Sequence, residues 1–252
     1  MKTDLSSQIK LDRIPRRYYN PDTEVELTAL RRKEKIDTRV FETADDGAEF
    51  LAGEIVKYIK RYTERKGKCV LALGAGQSTH RVYAALLARY AKKEVDFSKV
   101  VVFNISEFFP LNPEGPSTLA LLKEVFLSKT NIKPENIHSI DPAATKEQIS
   151  DYCQAYEQQI ADEGGIDVAL CEIGPKGCIA FNEPGSPALS YCRMVLLGNE
   201  QRHAIAKNYK VDDAPTTAVT LGMADIAAAH RVLTMAWGEN SAEVIKKAVE
   251  DE

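Results

Sequence analysis

Long apolar runs are missing from this sequence of 252 residues. No stretch reaches the roughly 18 apolar residues that a membrane-spanning helix needs. Residues 1–17 also lack the apolar core of a secretory signal peptide. These absences argue against a membrane partner and predict a soluble, cytoplasmic protein.

Cysteine is scarce, with five in the chain and no C-x-x-C pair. A low, odd number of cysteines predicts reduced thiols rather than a disulfide framework or a zinc site. The histidines do not show the spacing of metal ligands either. We therefore expect a reducing compartment, no bound metal and no cofactor.

Positive charge is also limited. The chain has 33 Lys and Arg residues against 37 Asp and Glu residues, for a formal net charge of −4. Proteins that bind a phosphate backbone usually carry a basic stripe. The charge balance therefore argues against a nucleic-acid partner.

What the sequence does contain is an alternation of short apolar segments and amphipathic segments. Apolar residues recur at helical spacing between Ala48 and Tyr62. Cys69–Leu73, in contrast, is a continuous apolar run, as expected for a strand buried on both faces. Further strands are expected at Thr38–Glu42, Val100–Phe103, Asp167–Ile173, Met194–Leu197, Ala218–Leu221 and Val232–Ala236. This order predicts a three-layer, Rossmann-like α/β fold, a parallel sheet with helices on both faces.

The beginning of the chain differs from the rest. Residues 1–36 hold two prolines and clusters of charge, and they are interpreted as an N-terminal extension. The extension is either a solvated segment with one short helix or an arm that packs on a partner subunit or guards the pocket. No Pro/Gly-rich linker divides residues 37–252, so we expect a single α/β domain there.

Three loops rich in small or polar residues directly follow buried strands. They are Gly74–Thr79, Asn104–Glu107 and Gly174–Pro184. Ligands of open α/β sheets bind at the carboxyl ends of the strands. The spacing therefore predicts one pocket formed by all three loops.

The first loop has the features of an anion site. Small residues let backbone N–H groups approach a phosphate, and the helix that follows adds a partial positive charge. The alternative is that the glycines serve only the geometry of the turn. The predicted ligand-binding residues here are Gly74, Ala75, Gly76, Gln77, Ser78 and Thr79.

The third loop carries a more specific pattern. The run G-x-x-G-x-I-A-F-N-E-P over Gly174–Pro184 resembles the signature of the glucosamine-6-phosphate deaminase/isomerase family. Gly74–Thr79 is similar to the phosphate loop of that family, and the F-N-x-x-E pattern at Phe103–Glu107 to another family segment. The similarity extends from about residue 38 to the end. It implies the α/β fold of the family and a sugar phosphate as ligand, with glucosamine-6-phosphate as the first candidate.

The resemblance also implies a chemistry and shows where this chain departs from it. Members of the family open the sugar ring, move a proton between C1 and C2 and release ammonia, which requires positioned acids and bases. Glu183 retains a family position, whereas Ser106, Lys176 and Cys178 replace two aspartates and a histidine. Ser, Lys and Cys cannot make the same proton transfers. The substitutions predict that deaminase activity is weak or lost.

The phosphate contacts implied by the resemblance are altered too. Lys207 stands where the family has an arginine, and Ser241 replaces a family lysine. One cation instead of two predicts weaker phosphate binding.

Alternatives remain for the individual residues. Glu183 is either a functional carboxylate or the partner of Lys176 in an ion pair. Lys176 is a salt-bridging residue or, if desolvated, a nucleophile, and Cys178 is a second candidate nucleophile.

Three functions stay open at this point. The first is a deaminase/isomerase-type enzyme that binds an amino-sugar phosphate with altered or weakened chemistry. The second is a non-catalytic sugar-phosphate sensing or scaffold domain of a larger protein, and the third is a lactonase-like phosphosugar hydrolase. The I-A-F-N-E-P run resembles deaminases more closely than lactonases. Because the family normally continues beyond the point that corresponds to Glu252, we also expect either an attached C-terminal domain or a homo-oligomer.

Overall fold

The computed structural model describes residues 21–110, 112, 114–140, 145–174 and 176–250. The strands are β1 (Cys69–Leu73), β2 (Val100–Asn104), β3 (Ser106–Phe108), β4 (Ile137–His138), β5 (Val168–Glu172), β6 (Arg193–Leu196), β7 (Thr217–Thr220) and β8 (Arg231–Met235). The helices are α1 (Glu24–Arg31), α2 (Ala44–Lys66), α3 (Thr79–Ala91), α4 (Thr118–Val125), α5 (Ile149–Asp162), α6 (Asn199–Tyr209), α7 (Met223–Ala227) and α8 (Ala242–Glu250). Within these ranges no helix combines the length and the apolarity needed to cross a bilayer.

The main sheet is parallel and has the strand order β4-β2-β1-β5-β8. Its central strand, β1, is buried along its whole length, as the apolar run at Cys69–Leu73 predicted. Alternate residues of β1 point to opposite faces, so each face needs an apolar layer of its own. The parallel sheet expected from the sequence is therefore confirmed.

The two faces of the sheet are covered by different helices. Leu71 and Leu73 pack in one core cluster with residues of α2, α3 and α4. Val70 and Ala72 pack in a second cluster with residues of α5 and α7. The predicted three-layer architecture is thus confirmed, and helices cover both faces.

A second, smaller sheet was not anticipated. The predicted strands near Met194 and Ala218 exist, but as β6 and β7 they form an antiparallel sheet with β3 in the order β3-β7-β6. Ile105 joins the two sheets, since its N–H donates to the carbonyl of Leu73 and its carbonyl accepts from the N–H of Leu221. Apolar periodicity predicts that a segment is extended, but it does not specify which strand will pair with it.

The strand expected at Thr38–Glu42 is absent. This segment has no strand partner and runs along α2, where Phe41 packs on the Phe50 ring at 5.3 Å. The guanidinium of Arg39 lies over the same ring, 4.6 Å from its centroid. Phe41 and Arg39 therefore pack on a helix, and the segment does not join a sheet.

The predicted N-terminal extension is described in part. The short helix expected there is present as α1, with Thr23 as its N-cap. Residues 1–20 lie outside the described residues. The boundary at residue 36 stays a prediction.

Gly222, which follows β7 and begins α7, lies where two backbone segments cross closely. A Cβ atom built on Gly222 would overlap the carbonyl groups of Ser190 and Tyr191. The Asp225 carboxylate accepts a hydrogen bond of 2.8 Å from the N–H of Gly222. At this crossing the segment before β6 packs against the residues that follow β7. A side chain at position 222 would not fit there, so the crossing requires glycine.

We predict that Gly222→Ala lowers the free energy of unfolding by about 3 kcal/mol, because the added methyl group overpacks the crossing. Gly53→Ala is the matched control. Gly53 lies inside α2, and a Cβ there would meet only the Arg89 guanidinium at 3.7 Å. The control should gain about 0.5–1 kcal/mol from the better helix propensity of alanine. Urea denaturation of both variants tests this pair, and equal stabilities would contradict the close crossing.

Candidate ligand-binding cleft

A cleft of about 560 Å³ opens at the carboxyl edge of the main sheet, between the strand ends and α6. All three loops singled out in the sequence contribute to its lining. Of the predicted site residues, the cleft is lined by Gly74, Ala75, Gly76, Thr79, Ser106, Lys176, Cys178 and Glu183. The expected convergence of the three loops is therefore present.

Some predicted ligand-binding residues are not brought to the cleft. Gln77 is exposed, Ser78 turns toward β5, and Lys207 is exposed on α6, and none of the three belongs to the cleft lining. The cation expected to contact a phosphate is therefore not in position to line this cavity. The ligand-binding roles of these residues stay predictions.

The floor of the cleft is apolar and aromatic. Phe108 packs edge-on against Tyr209 at 5.3 Å and against Phe181 at 5.5 Å. Ile105 and Ile205 extend this surface. Burial raises the pKa of Tyr209, so its hydroxyl stays neutral and can only exchange hydrogen bonds. A cavity with an apolar floor and a few polar side chains is typical of a small-molecule site.

The loop after β5 is a compact turn that aims two side chains into the cleft. The Gly174 N–H donates to the Cys178 carbonyl at 2.9 Å, and the Gly177 N–H donates to the Gly174 carbonyl at 2.8 Å. Gly177 has a φ of +88°, a conformation that favours glycine. The G-x-x-G pattern seen in the sequence is therefore required by this turn, in which Lys176 and Cys178 flank Gly177.

Lys176 forms an ion pair, but not with the partner that was expected. Its Nζ lies 2.6 Å from a carboxylate oxygen of Glu200, whereas the alternative pairing with Glu183 is wrong. The hydrogen bond that Lys176 donates to Glu200 is the largest cause of its raised pKa. The lysine stays cationic near neutral pH, so the interpretation as a nucleophile is not supported, while the salt bridge is confirmed.

Cys178 is half-buried beside α6. Burial raises the pKa of its thiol, although a hydrogen bond with Gln201 acts in the opposite direction. Since the thiolate is the nucleophile, the protonated side chain is unreactive at neutral pH. The cleft therefore holds no activated thiol at this position.

Glu183 is exposed at the mouth of the cleft. Its carboxylate lies beside Gly198, where a Cβ atom would come within 2.8 Å of Oε1. Gly198 is the N-cap of α6, and a negative charge there interacts favourably with the helix dipole. Among the residues that the structure describes, none forms an ion pair with Glu183 within 4.0 Å. Its carboxylate therefore lines the cleft without an ion-pair partner among the described residues.

Glu107 is a buried carboxylate whose role the sequence did not reveal. Its oxygens accept hydrogen bonds from the N–H groups of Phe108, Thr118 and Leu119 and from the Ser117 hydroxyl. It therefore caps α4 and fixes β3 immediately beside Ser106. Because all of these donors are internal, Glu107 positions the cleft and does not contact a ligand there.

A second carboxylate that the sequence analysis missed is Glu172, the last residue of β5. Its side chain lies against Gly76, where any Cβ atom would overlap the carboxylate. The Ser78 hydroxyl donates to Glu172 Oε1 at 2.6 Å. The sequence feature that could have identified Glu172 is a charged residue at the carboxyl end of a buried apolar run, next to the predicted anion loop.

Hydrogen bonds to three backbone carbonyl groups fix the rest of the Gly74–Thr79 loop. The Thr79 hydroxyl donates to the Gly76 carbonyl at 2.6 Å, and the Trp237 indole donates to the Ser78 carbonyl at 3.0 Å. The Tyr83 hydroxyl donates to the Gly74 carbonyl. Both hydroxyl groups of the predicted phosphate loop are therefore already engaged, one by the backbone and one by Glu172.

The electrostatic balance of the cleft is negative. Glu172, Glu183 and Glu200 contribute three carboxylates to its lining, and Lys176 contributes the one ammonium group among the described lining residues. Two like unit charges about 5 Å apart repel by about 3 kcal/mol at an effective dielectric constant of about 20. A dianion placed against Glu172 therefore meets substantial repulsion.

The chain was compared with protein families and with known sequences. A family model described as glucosamine-6-phosphate isomerases/6-phosphogluconolactonase matches residues 42–252. A glucosamine-6-phosphate deaminase-like protein of Bacteroides thetaiotaomicron is 41% identical over 252 residues, which are 99% of this chain and 38% of that protein. Glucosamine-6-phosphate deaminase 1 of Giardia intestinalis is 38% identical over 210 residues, which are 81% of this chain and 76% of that protein. The chain thus spans well under half the length of the Bacteroides relative.

Solved structures show the same relationship. A monomeric glucosamine-6-phosphate deaminase matches with a TM-score of 0.75 and 26% identity, covering 81% of this chain and 83% of that one. A 6-phosphogluconolactonase from Trypanosoma brucei matches with a TM-score of 0.68 and 20% identity, covering 87% and 88%. The second similarity demonstrates a common fold.

We predict that Glu107→Gln lowers the free energy of unfolding by about 2 kcal/mol, because the amide group replaces an acceptor with a donor that faces backbone N–H groups. Glu114→Gln is the control, since Glu114 is exposed and its change should stay within about 0.5 kcal/mol. Chemical denaturation of the two variants measures the difference. An unchanged stability of Glu107→Gln would show that the cap of α4 does not depend on the charge.

Proposed function

Because the chain belongs to the glucosamine-6-phosphate isomerase/6-phosphogluconolactonase family, we propose that its cleft binds an amino sugar or an amino-sugar phosphate and that deaminase activity is absent or very weak. The observation that carries the proposal is the composition of the cleft itself. The cavity and its aromatic floor are present, but three positions that resemble the acid/base positions of deaminases hold Ser106, Lys176 and Cys178.

The protonation states of these three side chains support the proposed loss of deaminase activity. A lysine bound to Glu200 stays protonated, and a thiol with a raised pKa stays neutral, so neither accepts a proton readily near pH 7. Ser106 has no titration in the useful range. Among the positions that resemble the acid/base positions of deaminases, Glu183 is the one carboxylate left to contact a ligand. The deaminase reaction needs several groups that accept and donate protons, and a single carboxylate does not replace them.

The relatives support the ligand class. The Bacteroides relative, 41% identical, is named as a glucosamine-6-phosphate deaminase-like protein, and the Giardia relative, 38% identical, as glucosamine-6-phosphate deaminase 1. A sensing or scaffold role within a larger protein is the form of this proposal that needs no turnover, and the expected C-terminal domain or homo-oligomer stays a prediction. The lactonase alternative is supported by the common fold and by the family description, which also includes 6-phosphogluconolactonase.

We predict that glucosamine-6-phosphate incubated for about one hour with about a thousandth of an equivalent of protein yields no fructose-6-phosphate signal in a ³¹P NMR time course. Losing two acid/base groups at about 10²-fold each would lower a typical rate of about 10 s⁻¹ to about 10⁻³ s⁻¹ or less. Ammonia release at about 1 s⁻¹ or faster, abolished by Glu183→Gln, would contradict the loss of chemistry.

The binding half of the proposal is tested separately. Saturation-transfer NMR with glucosamine and with glucosamine-6-phosphate should show transfer from the protein to at least one of the two sugars. The matched control is the Phe181→Ala variant, in which the loss of an aromatic floor residue should reduce the transfer. Transfer to neither sugar in the wild-type protein would rule out an amino-sugar site.

A further inference from the structure

Glu172 occupies the position at which the Gly74–Thr79 loop would cradle a phosphate. We propose that this residue determines the specificity of the cleft, so that it takes an unphosphorylated amino sugar and disfavours the 6-phosphate. The inference rests on the proposed function and deepens it by naming the ligand class.

The first argument is geometric. The Glu172 carboxylate lies against the Cα of Gly76 and accepts a hydrogen bond of 2.6 Å from the Ser78 hydroxyl. The glycine and the hydroxyl, which made the loop a candidate anion site, are thus used to seat a carboxylate of the protein itself. A phosphate would have to displace this carboxylate or share the loop with it.

The second argument is the charge around Glu172. His80 directly follows the loop and interacts electrostatically with Glu172, but burial lowers its pKa, so it is neutral at pH 7 and does not offset the carboxylate. Lys176, the one cation among the described lining residues, is engaged by Glu200. A phosphate dianion would therefore enter a negative field without a free cation to receive it.

The third argument concerns what does fit. A sugar hydroxyl group can donate a hydrogen bond to the Glu172 carboxylate, which accepts only. The ammonium group of an amino sugar is favoured by the excess of carboxylates in the cleft. The aromatic floor of Phe108 and Tyr209 offers an apolar surface for the sugar ring. The unphosphorylated amino sugar satisfies all three features at once.

Isothermal titration of the wild-type protein with glucosamine and with glucosamine-6-phosphate tests the inference. Glucosamine should bind with a Kd lower by about tenfold or more. Tighter or equal binding of glucosamine-6-phosphate would overturn the inference and leave the proposed function standing. Binding of neither sugar by the wild type and by the variants below would overturn the proposed function together with the inference.

Two charge-neutralising variants test whether the specificity depends on the carboxylate of Glu172 or simply on the number of negative charges. Glu172→Gln retains the shape and an acceptor for the Ser78 hydroxyl, and it should improve the Kd of glucosamine-6-phosphate by about tenfold or more. Glu114→Gln removes one negative charge at an exposed position outside the cleft lining and should change the ratio of the two Kd values by about threefold or less. A ratio that Glu172→Gln leaves unchanged would overturn the inference. If Glu172→Gln does not fold, the comparison of the two sugars on the wild-type protein decides alone.

Discussion

The burial of β1 on both faces is the constraint on which the rest of the structure depends. All five of its residues pair with β2 and Leu71–Leu73 pair with β5, and alternate side chains enter two separate cores. The amino end is also secured, since the Val70 N–H donates to the buried Asp167 at 2.8 Å and Lys66 pairs with the same carboxylate at 2.9 Å. Because two neighbouring strands and two layers of helices pack against β1, the loop that follows its carboxyl end begins from a fixed position.

The cleft illustrates how chemistry can change on an unchanged scaffold. The turn after β5 keeps its glycine at positive φ and its internal hydrogen bonds, although the side chains it presents are Lys176 and Cys178. The loop after β1 still leads into α3, although Glu172 lies against Gly76. Backbone geometry and side-chain chemistry are therefore separable here, which is why the fold alone does not establish the activity.

The sequence predicted those elements whose stability depends on local apolar patterning. The buried strands at Cys69–Leu73 and Val100–Phe103 were correct because a continuous apolar run is required when both faces are covered. The strand at Thr38–Glu42 was wrong because Phe41 packs on Phe50 of α2 and the segment pairs with no strand. The antiparallel pairing of β6 with β7 was missed because periodicity does not name a partner.

By itself the sequence determined the layers, the edge at which the loops meet, and the residue types at the positions that resemble a deaminase site. Only the tertiary structure decided which side chains meet: Ser78 and Glu172 are 94 residues apart, and Lys176 pairs with Glu200 rather than Glu183. The reason is physical. The layers form because apolar side chains are buried, and short periodic segments of the sequence indicate which side chains those are. Charge pairing instead depends on distances of a few ångströms between loops that are remote in the chain.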